Sequence, residues 1–222
     1  MKKIYLLAVS VLFSLSAMAL PDYGLWCNGK ALLENGTALE GEISYDLKFE
    51  VVRVKANGIT NAYSAESIAY FELYDPIKQI HRKYVSVDAP VYPGYQRKEF
   101  FEIISHGELA FLRKSEYVRR PRTTEDMRAP HIYLNTVCKH IYFLHEEESG
   151  LTEINDFKEE ILPRMDKYED EVTDYIKRCK LKLKKLPEQV RVVNLYNMLY
   201  ANENKLATNS PKKNKEVTYN FR

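Results

Sequence analysis

FFEIISHGELAFL, residues 100–112, contains two apolar segments on either side of the dipeptide His106-Gly107. Short segments rich in Phe, Ile and Leu that meet at a glycine are typical of two β-strands joined by a turn. We therefore predict an antiparallel hairpin in which FFEII turns back into ELAFL. This hairpin places the centre of the chain in a β-sheet. The flanking sequence has the same pattern of short apolar segments separated by turn residues.

Short segments rich in Val, Ile, Phe and Tyr occur on both sides of this hairpin, separated by Gly, Pro or Asn. Val52 and Val54 alternate with Arg53 and Lys55, which is the period of a strand with one buried face. The pattern predicts strands at 38–45, 48–55, 67–74, 80–87, 132–134 and 140–145, with a last short strand after Gly150. Strands at this spacing predict a small β-barrel or a sandwich-like module.

The hydrophobic period changes near Asn155, where the sequence becomes helical. Asn155 or Asp156 is suited to cap a first helix. Tyr168, Val172, Tyr175, Ile176 and Cys179 then follow one helical stripe, and Pro187 suits the first turn of a final helix. We predict an α+β protein with a β-rich domain at 20–150, a short C-terminal helical segment at 151–201 and a solvated tail at 202–222.

Residues 1–19, MKKIYLLAVSVLFSLSAMA, have two lysines, an apolar stretch and the small-residue pattern Ala17-Met18-Ala19. This pattern predicts a secretory signal peptide cut after Ala19. The alternative is an uncleaved anchor, because residues 4–20 approach the ~20 apolar residues of a membrane-spanning helix. The serines and the cleavage pattern favour the signal peptide. The predicted location is the periplasm, the outer envelope or the extracellular space, with no transmembrane segment after cleavage.

The leader bears on two Asn-Gly pairs, Asn35-Gly36 and Asn57-Gly58. Asn35-Gly36-Thr37 also matches the Asn-x-Thr glycan acceptor. A short Lys-Lys start is of a bacterial type, and exported bacterial proteins have no general machinery for adding sugars at this motif. We therefore predict that both pairs form type I′ hairpin turns, which need positive φ at both central residues.

Charge excludes one class of partner. Lys2 and Lys3 lie in the leader, so 31 of the 33 basic residues remain against 31 acidic ones. A nucleic-acid-binding protein normally has a strong basic excess, so no nucleic acid is predicted as a partner. The three cysteines, Cys27, Cys138 and Cys179, cannot all pair within one chain. One disulfide with a free thiol is open, but the sequence favours three buried thiols, because free Cys is commonly buried.

Catalytic motifs are missing from the sequence. It has no Gly-x-Ser-x-Gly, no His-Glu-x-x-His and no phosphate-binding glycine loop. Cys138 and His140 would share one face of a strand, with His145 on the other, and this trio is the basis of an alternative function as a hydrolase or metal-dependent enzyme. The interpretation that the sequence favours is a non-catalytic binding or structural module, with no cofactor and no metal.

Tyrosine offers the best binding candidate, with 17 Tyr against one Trp. Asp88–Gln96, DAPVYPGYQ, has two prolines and a glycine, which predicts a loop because proline does not fit a central strand. Tyr92 and Tyr95 lie in this loop beside Arg97 and Lys98. Tyr and Arg are enriched in binding surfaces, so these four residues are the predicted site, for an unknown protein or envelope component. The alternative is that the tyrosines only pack on the sheet.

Four short stretches of the β part are GEISY at 41–45, YSAESI at 63–68, FFE at 100–102 and GEL at 107–109. With these stretches the chain resembles a group of uncharacterised exported proteins of Gram-negative bacteria. The resemblance covers the β part and, loosely, Leu195-Tyr196-Asn197. Its motifs are turn and core residues, so the resemblance implies a fold and an exported location, and it assigns no functional residue.

Overall fold

The computed structural model describes residues 25–119, 136–146 and 150–208. The predicted leader, the predicted strand at 132–134, nearly all of the polar segment 119–130 and the end of the predicted tail lie outside the described residues.

The described chain forms one antiparallel sheet of ten strands. The strands are β1 Cys27–Leu33, β2 Ala38–Asp46, β3 Val51–Ala56, β4 Ile59–Tyr63, β5 Ile68–Asp75, β6 Ile80–Tyr92, β7 Tyr95–Ser105, β8 Ala110–Arg119, β9 Thr136–Glu146 and β10 Gly150–Glu153. Their order across the sheet is β10-β9-β8-β7-β6-β5-β1-β2-β3-β4. Strand β1 therefore lies inside the sheet, between β2 and β5.

The α+β class is confirmed, but the predicted barrel is not supported, because the sheet is not closed. Two series of hairpins extend outward from the pair β1–β5. One series ends at β4 and the other at β10. Each hairpin adds a strand to the outside of the sheet, so the described chain finishes with two separate edges.

The two Asn-Gly turns differ in type. Asn57 has φ 51° and Gly58 has φ 78°, as a type I′ turn requires. Asn35-Gly36 also joins two strands, but only Gly36 has a positive φ, 82°. The Asn35 Oδ1 instead accepts the Thr37 N–H at 3.0 Å. The hairpin prediction is confirmed at both sites, and the type I′ prediction is wrong for Asn35-Gly36.

The predicted loop at 88–96 is wrong, because these residues form the end of the β6–β7 hairpin. Pro90 pairs with Gln96, and Tyr92 pairs with Tyr95. The last rung between β6 and β5 is Val85–Tyr70. Pro90 lies beyond that rung, so its missing N–H removes no hydrogen bond to β5. Proline is tolerated where a strand has such a free side.

The middle of the β6–β7 hairpin has apolar side chains packed on both of its faces. Tyr84 and Phe100 pack in one core cluster, together with residues of the N-terminal strands such as Phe71. Val85 and Phe101, the next residues along each strand, pack in a second cluster with residues of β8, β9 and β10. Successive side chains of a strand point to opposite faces, so this hairpin contacts two different cores.

The C-terminal part contains helices α1 Phe157–Glu160, α2 Glu169–Cys179 and α3 Leu186–Thr208, with a 3₁₀ segment at Leu162–Tyr168. Asp156 caps α1 as predicted, since its Oδ1 accepts the N–H groups of Lys158 and Glu159. Helix α2 ends where Lys180 adopts a left-handed conformation, with φ 51°. Helix α3 continues beyond Asn202, where the tail was predicted to begin. None of the helices in the described ranges combines the length and apolar character that a membrane-crossing helix needs.

The helices pack on one face of the sheet. Phe111 and Leu144 from β8 and β9 share a core cluster with Phe157, Val193 and Tyr196 from the helices. These side chains are almost fully buried. The helical layer therefore covers the sheet near the β7–β8 turn.

The side chain of Asn197 joins α3 to the β7–β8 turn through hydrogen bonds. Its Oδ1 accepts the Leu109 N–H at 3.0 Å, and its Nδ2 donates to the carbonyls of Leu109 at 3.0 Å and His106 at 3.1 Å. A Cβ at position 107 would lie 2.5 Å from the Asn197 Cγ, so only Gly107 fits beneath this side chain. The amide thus supplies the partners that the turn's buried backbone groups need.

We expect Asn197→Ala to lower the free energy of unfolding by about 2–3 kcal/mol, because it leaves buried polar groups of Leu109 unpaired. Asn194→Ala is the matched control on the same helix. It removes one side-chain bond, from Ser105 Oγ at 2.7 Å, and we expect it to cost about 1 kcal/mol. Urea unfolding measures both, and equal losses would contradict this role for Asn197.

Candidate functional site

The far half of the β6–β7 hairpin extends beyond its neighbours in the sheet. The rungs between β6 and β5 stop at Val85, and the rungs between β7 and β8 start at Glu102. Residues 86–100 therefore form a two-stranded extension, which we call the hairpin arm. Its end, Pro90–Gln96, is called the tip.

The tip presents two stacked tyrosines. The rings of Tyr92 and Tyr95 have centroids 4.8 Å apart and planes within 11° of parallel. Tyr92 is 60% exposed, Tyr95 45% and the adjacent Val91 44%. Gly94, with φ 80°, makes the tight turn that brings the two rings together. The tip contains no charged side chain, so it is a small, uncharged and largely aromatic surface.

The structure separates the predicted site into two parts with different roles. Arg97 forms an ion pair with Glu99, and Lys98 forms one with Glu34 in the β1–β2 turn. These hydrogen bonds raise the pKa of both basic groups. Lys98 thus connects the arm to the β1–β2 turn, the Arg97–Glu99 pair lies within the arm, and Tyr92 and Tyr95 face solvent. A binding role for the four residues stays a prediction.

Further contacts brace the base of the arm. Ser86 Oγ donates to the Ala65 carbonyl at 2.6 Å, and the Lys98 N–H donates to the Glu66 carboxylate at 3.2 Å. Both partners lie in the connection between β4 and β5. These hydrogen bonds attach the base of the arm to the β4–β5 connection, and the tip extends from that base.

Lys114 is a buried cation that sequence reasoning missed. The residue is 7% exposed. Its Nζ contacts Glu50 in the β2–β3 turn at 2.7 Å and also contacts Glu99 of β7. Burial favours a raised pKa of the Glu99 carboxyl, but hydrogen bonds from Lys114 and Arg97 outweigh it and lower that pKa. Lys114 thus connects three elements at the base of the arm.

Glu102 accepts hydrogen bonds from two arginines. Arg82 donates from Nε at 2.9 Å and from Nη2 at 2.8 Å, and Arg113 donates from Nε at 3.1 Å and from Nη2 at 2.5 Å. Glu102 is 5% exposed. Burial raises the pKa of its carboxyl, but the bonds from Arg82 and Arg113 outweigh burial and lower it. The carboxylate is thereby held ionised inside the sheet.

The alternative trio divides as the strand period predicted. Cys138 pairs with Tyr117 and His140 with Ser115, on one face, while His145 pairs with Ala110 and faces the other way. In the described part of the chain, no group of three or more His, Cys, Asp or Glu side chains could hold a metal ion. Cys27 is buried as predicted, but Cys138 and Cys179 are exposed, so the prediction of three buried thiols is wrong for these two.

Comparison of the chain with protein-family models, with curated proteins and with solved structures finds no match. The function proposed below therefore depends on the chemistry and exposure of the side chains themselves.

The lowered pKa of Glu102 predicts a pH dependence of stability. A carboxyl whose pKa is depressed on folding contributes stability above its unfolded pKa, about 4.3, and loses it as the pH falls through the folded value. We expect Glu102→Gln to unfold more easily than the natural protein at pH 7, and the difference to shrink below about pH 4.3. Urea unfolding between pH 7 and pH 3 measures both.

Glu42→Gln is the control, because Glu42 forms an exposed ion pair with Lys55 at 2.7 Å. Exposed pairs contribute little, so we expect this variant to follow the natural protein at every pH. A constant difference between Glu102→Gln and the natural protein from pH 7 to pH 3 would refute the proposed ionisation.

Proposed function

We propose that this protein is an exported, non-catalytic binding module of the bacterial envelope that contacts a partner protein through the tip of its hairpin arm. The observation that carries the proposal is the exposed, stacked pair of Tyr92 and Tyr95 on an uncharged tip.

The composition of the tip suits a protein contact. Tyrosine combines a large apolar ring with a polar end, and it is enriched among the residues that dominate binding energy. Single exposed apolar side chains are common and need no explanation. Here, however, Val91, Tyr92 and Tyr95 are exposed together at the end of one hairpin. Burial of this cluster by a partner would remove apolar surface from water.

The bracing of the arm supports the same proposal. Binding costs less when the contacting residues are already ordered, because less conformational entropy is lost. The Lys98–Glu34 ion pair and the Ser86–Ala65 hydrogen bond hold the base of the arm. Pro90 and Pro93 limit the backbone of the tip itself. The rings of Tyr92 and Tyr95 are therefore already ordered before a partner binds.

Charge indicates the nature of the partner surface. The cations nearest to the tip, Arg97 and Lys98, are paired with Glu99 and Glu34. Complementary interfaces match potentials, so the surface that receives this tip should be uncharged and apolar or aromatic. The exported location is supported by the leader at 1–19, by the balanced charge of the rest of the chain and by the resemblance to exported proteins.

The test uses a photo-crosslinking phenylalanine analogue in place of Tyr92. We expect a discrete crosslinked complex in intact cells, because Tyr92 would lie inside the interface. We also expect Tyr92→Ala with Tyr95→Ala to abolish the complex while lowering the free energy of unfolding by less than about 1.5 kcal/mol, the value of one aromatic pair. The mass of the recovered chain also reports whether residues 1–19 were removed.

The matched control is the same analogue in place of Tyr74, which is 38% exposed in the β5–β6 hairpin. Labelling of the same partner from both positions would indicate non-specific contact and contradict the proposal. So would a double variant that keeps the complex, or one that unfolds at much lower urea concentration, since the tyrosines would then be structural.

A further inference from the structure

A second group of polar side chains lies away from the arm, on the face of β8 and β9 that carries the helices. The helical layer covers the rung Phe111–Leu144, where both side chains are fully buried. Four rungs further along, on the same face, Ser115 pairs with His140, and His140 is exposed. The described helices therefore leave this part of the face open.

The hydrogen bond between Ser115 and His140 fixes the imidazole. Ser115 Oγ lies 2.8 Å from His140 Nδ1. Burial and the neighbouring Arg113 lower the pKa of His140, so the ring is neutral at pH 7. When the serine hydroxyl donates to Nδ1, the ring proton lies on Nε2. Nε2 has no hydrogen-bond partner among the described residues, so it is available as a donor to a ligand.

Positive charge gathers beside this imidazole. Arg113 lies diagonally across the strand pair from His140, since it faces Tyr142, two residues along β9. Diagonal cross-strand neighbours lie within reach of long side chains. Arg113 donates to Glu102 from Nε and Nη2, and its Nη1 has no carboxylate partner among the described residues. Arg82 binds the other side of Glu102.

The β5–β6 turn adds a third cation, Lys78. Asp75 Oδ1 accepts the N–H groups of Ile77 and Lys78 at 3.0 and 3.1 Å, which fixes the turn. Asp75 Oδ2 lies 3.9 Å from Arg82 Nη1, so the turn adjoins the arginine cluster. Lys78 is exposed and forms no ion pair with a described residue. Its positive charge contributes to the lowered pKa of His140. The cluster thus contains three cations, Arg82, Arg113 and Lys78, and two carboxylates, Glu102 and Asp75.

We propose that Arg113, His140 and Lys78 bind a small oxyanion, the phosphate or carboxylate group of a ligand. One positive charge in excess matches a monoanion, and guanidinium, imidazole N–H and ammonium groups are the donors that oxyanions accept from. The carboxylate of Glu102 does not repel the ligand strongly, because two guanidinium groups neutralise it. Tyr117, 55% exposed and two rungs further on along the same face, flanks the site and suits an apolar or aromatic part of the same ligand.

This site is independent of the hairpin arm, so each proposal can fail alone. The test titrates the full exported protein with inorganic phosphate and with acetate at low ionic strength, followed by NMR of the His140 imidazole. We expect saturable shifts with at least one of the two anions. His140→Ala, followed by calorimetry, should weaken binding up to about tenfold, as for loss of one hydrogen bond. Lys78→Ala should weaken it about threefold, as for an exposed charge.

Lys83→Ala is the matched control. Lys83 is also exposed and lies on β6 next to Arg82, but it points to the opposite face. We expect its affinity to equal that of the natural protein. Linear, non-saturating shifts with both anions would overturn the proposal, and so would equal weakening by Lys78→Ala and Lys83→Ala. Binding to phosphatidylglycerol vesicles without binding of either free anion would overturn it as well, since the charge would then serve a membrane surface.

Discussion

The fold depends on the packing of both faces at the middle of the β6–β7 hairpin. Tyr84 and Phe100 require cover on one side, while Val85 and Phe101 require it on the other. The N-terminal strands supply the first cover. Residues of β8, β9 and β10, including Leu112 and Leu151, complete the second. Apolar area removed from water on both faces makes this hairpin the centre of the sheet, and strands added on either side are stabilised through it.

The same burial explains the charged groups inside the sheet. A buried charge is tolerated when it is paired and hydrogen-bonded, because its hydration must be replaced. Glu102 is satisfied by Arg82 and Arg113, and Lys114 by Glu50 and Glu99. Both proposed sites lie where the burial of the sheet faces ends. The tip lies past the last rungs with β5 and β8, and the Ser115–His140 rung lies past the helical layer.

Local signals in the sequence predicted the turns, but they did not predict which strands and charged residues pair over long distances along the chain. His106-Gly107 and Asn57-Gly58 marked real turns, because turn chemistry acts within a few residues. Pro90 misled the prediction at 88–96, since a proline's cost depends on whether a third strand pairs on its N–H side. The position of β1 between β2 and β5, and the partners of Glu102 and Lys114, involve residues far apart in sequence. The only local hint was a charge within each apolar run, in FFEII and AFLRK. The tyrosines of the candidate site were visible in the sequence, but the ion pairs that occupy Arg97 and Lys98 were not.

Amide hydrogen exchange along the β6–β7 hairpin measures whether the hairpin is buried on both faces at its centre and exposed at its tip. Exchange reports the free energy of local opening, which is largest where both faces are buried and both neighbours pair. We expect the slowest exchange at residues 84–85 and 101–103, and exchange faster by orders of magnitude at residues 91–96, where Tyr92 and Tyr95 face solvent. Uniform protection along the whole hairpin, or a base that exchanges as fast as the tip, would contradict a doubly buried centre that carries an exposed binding tip.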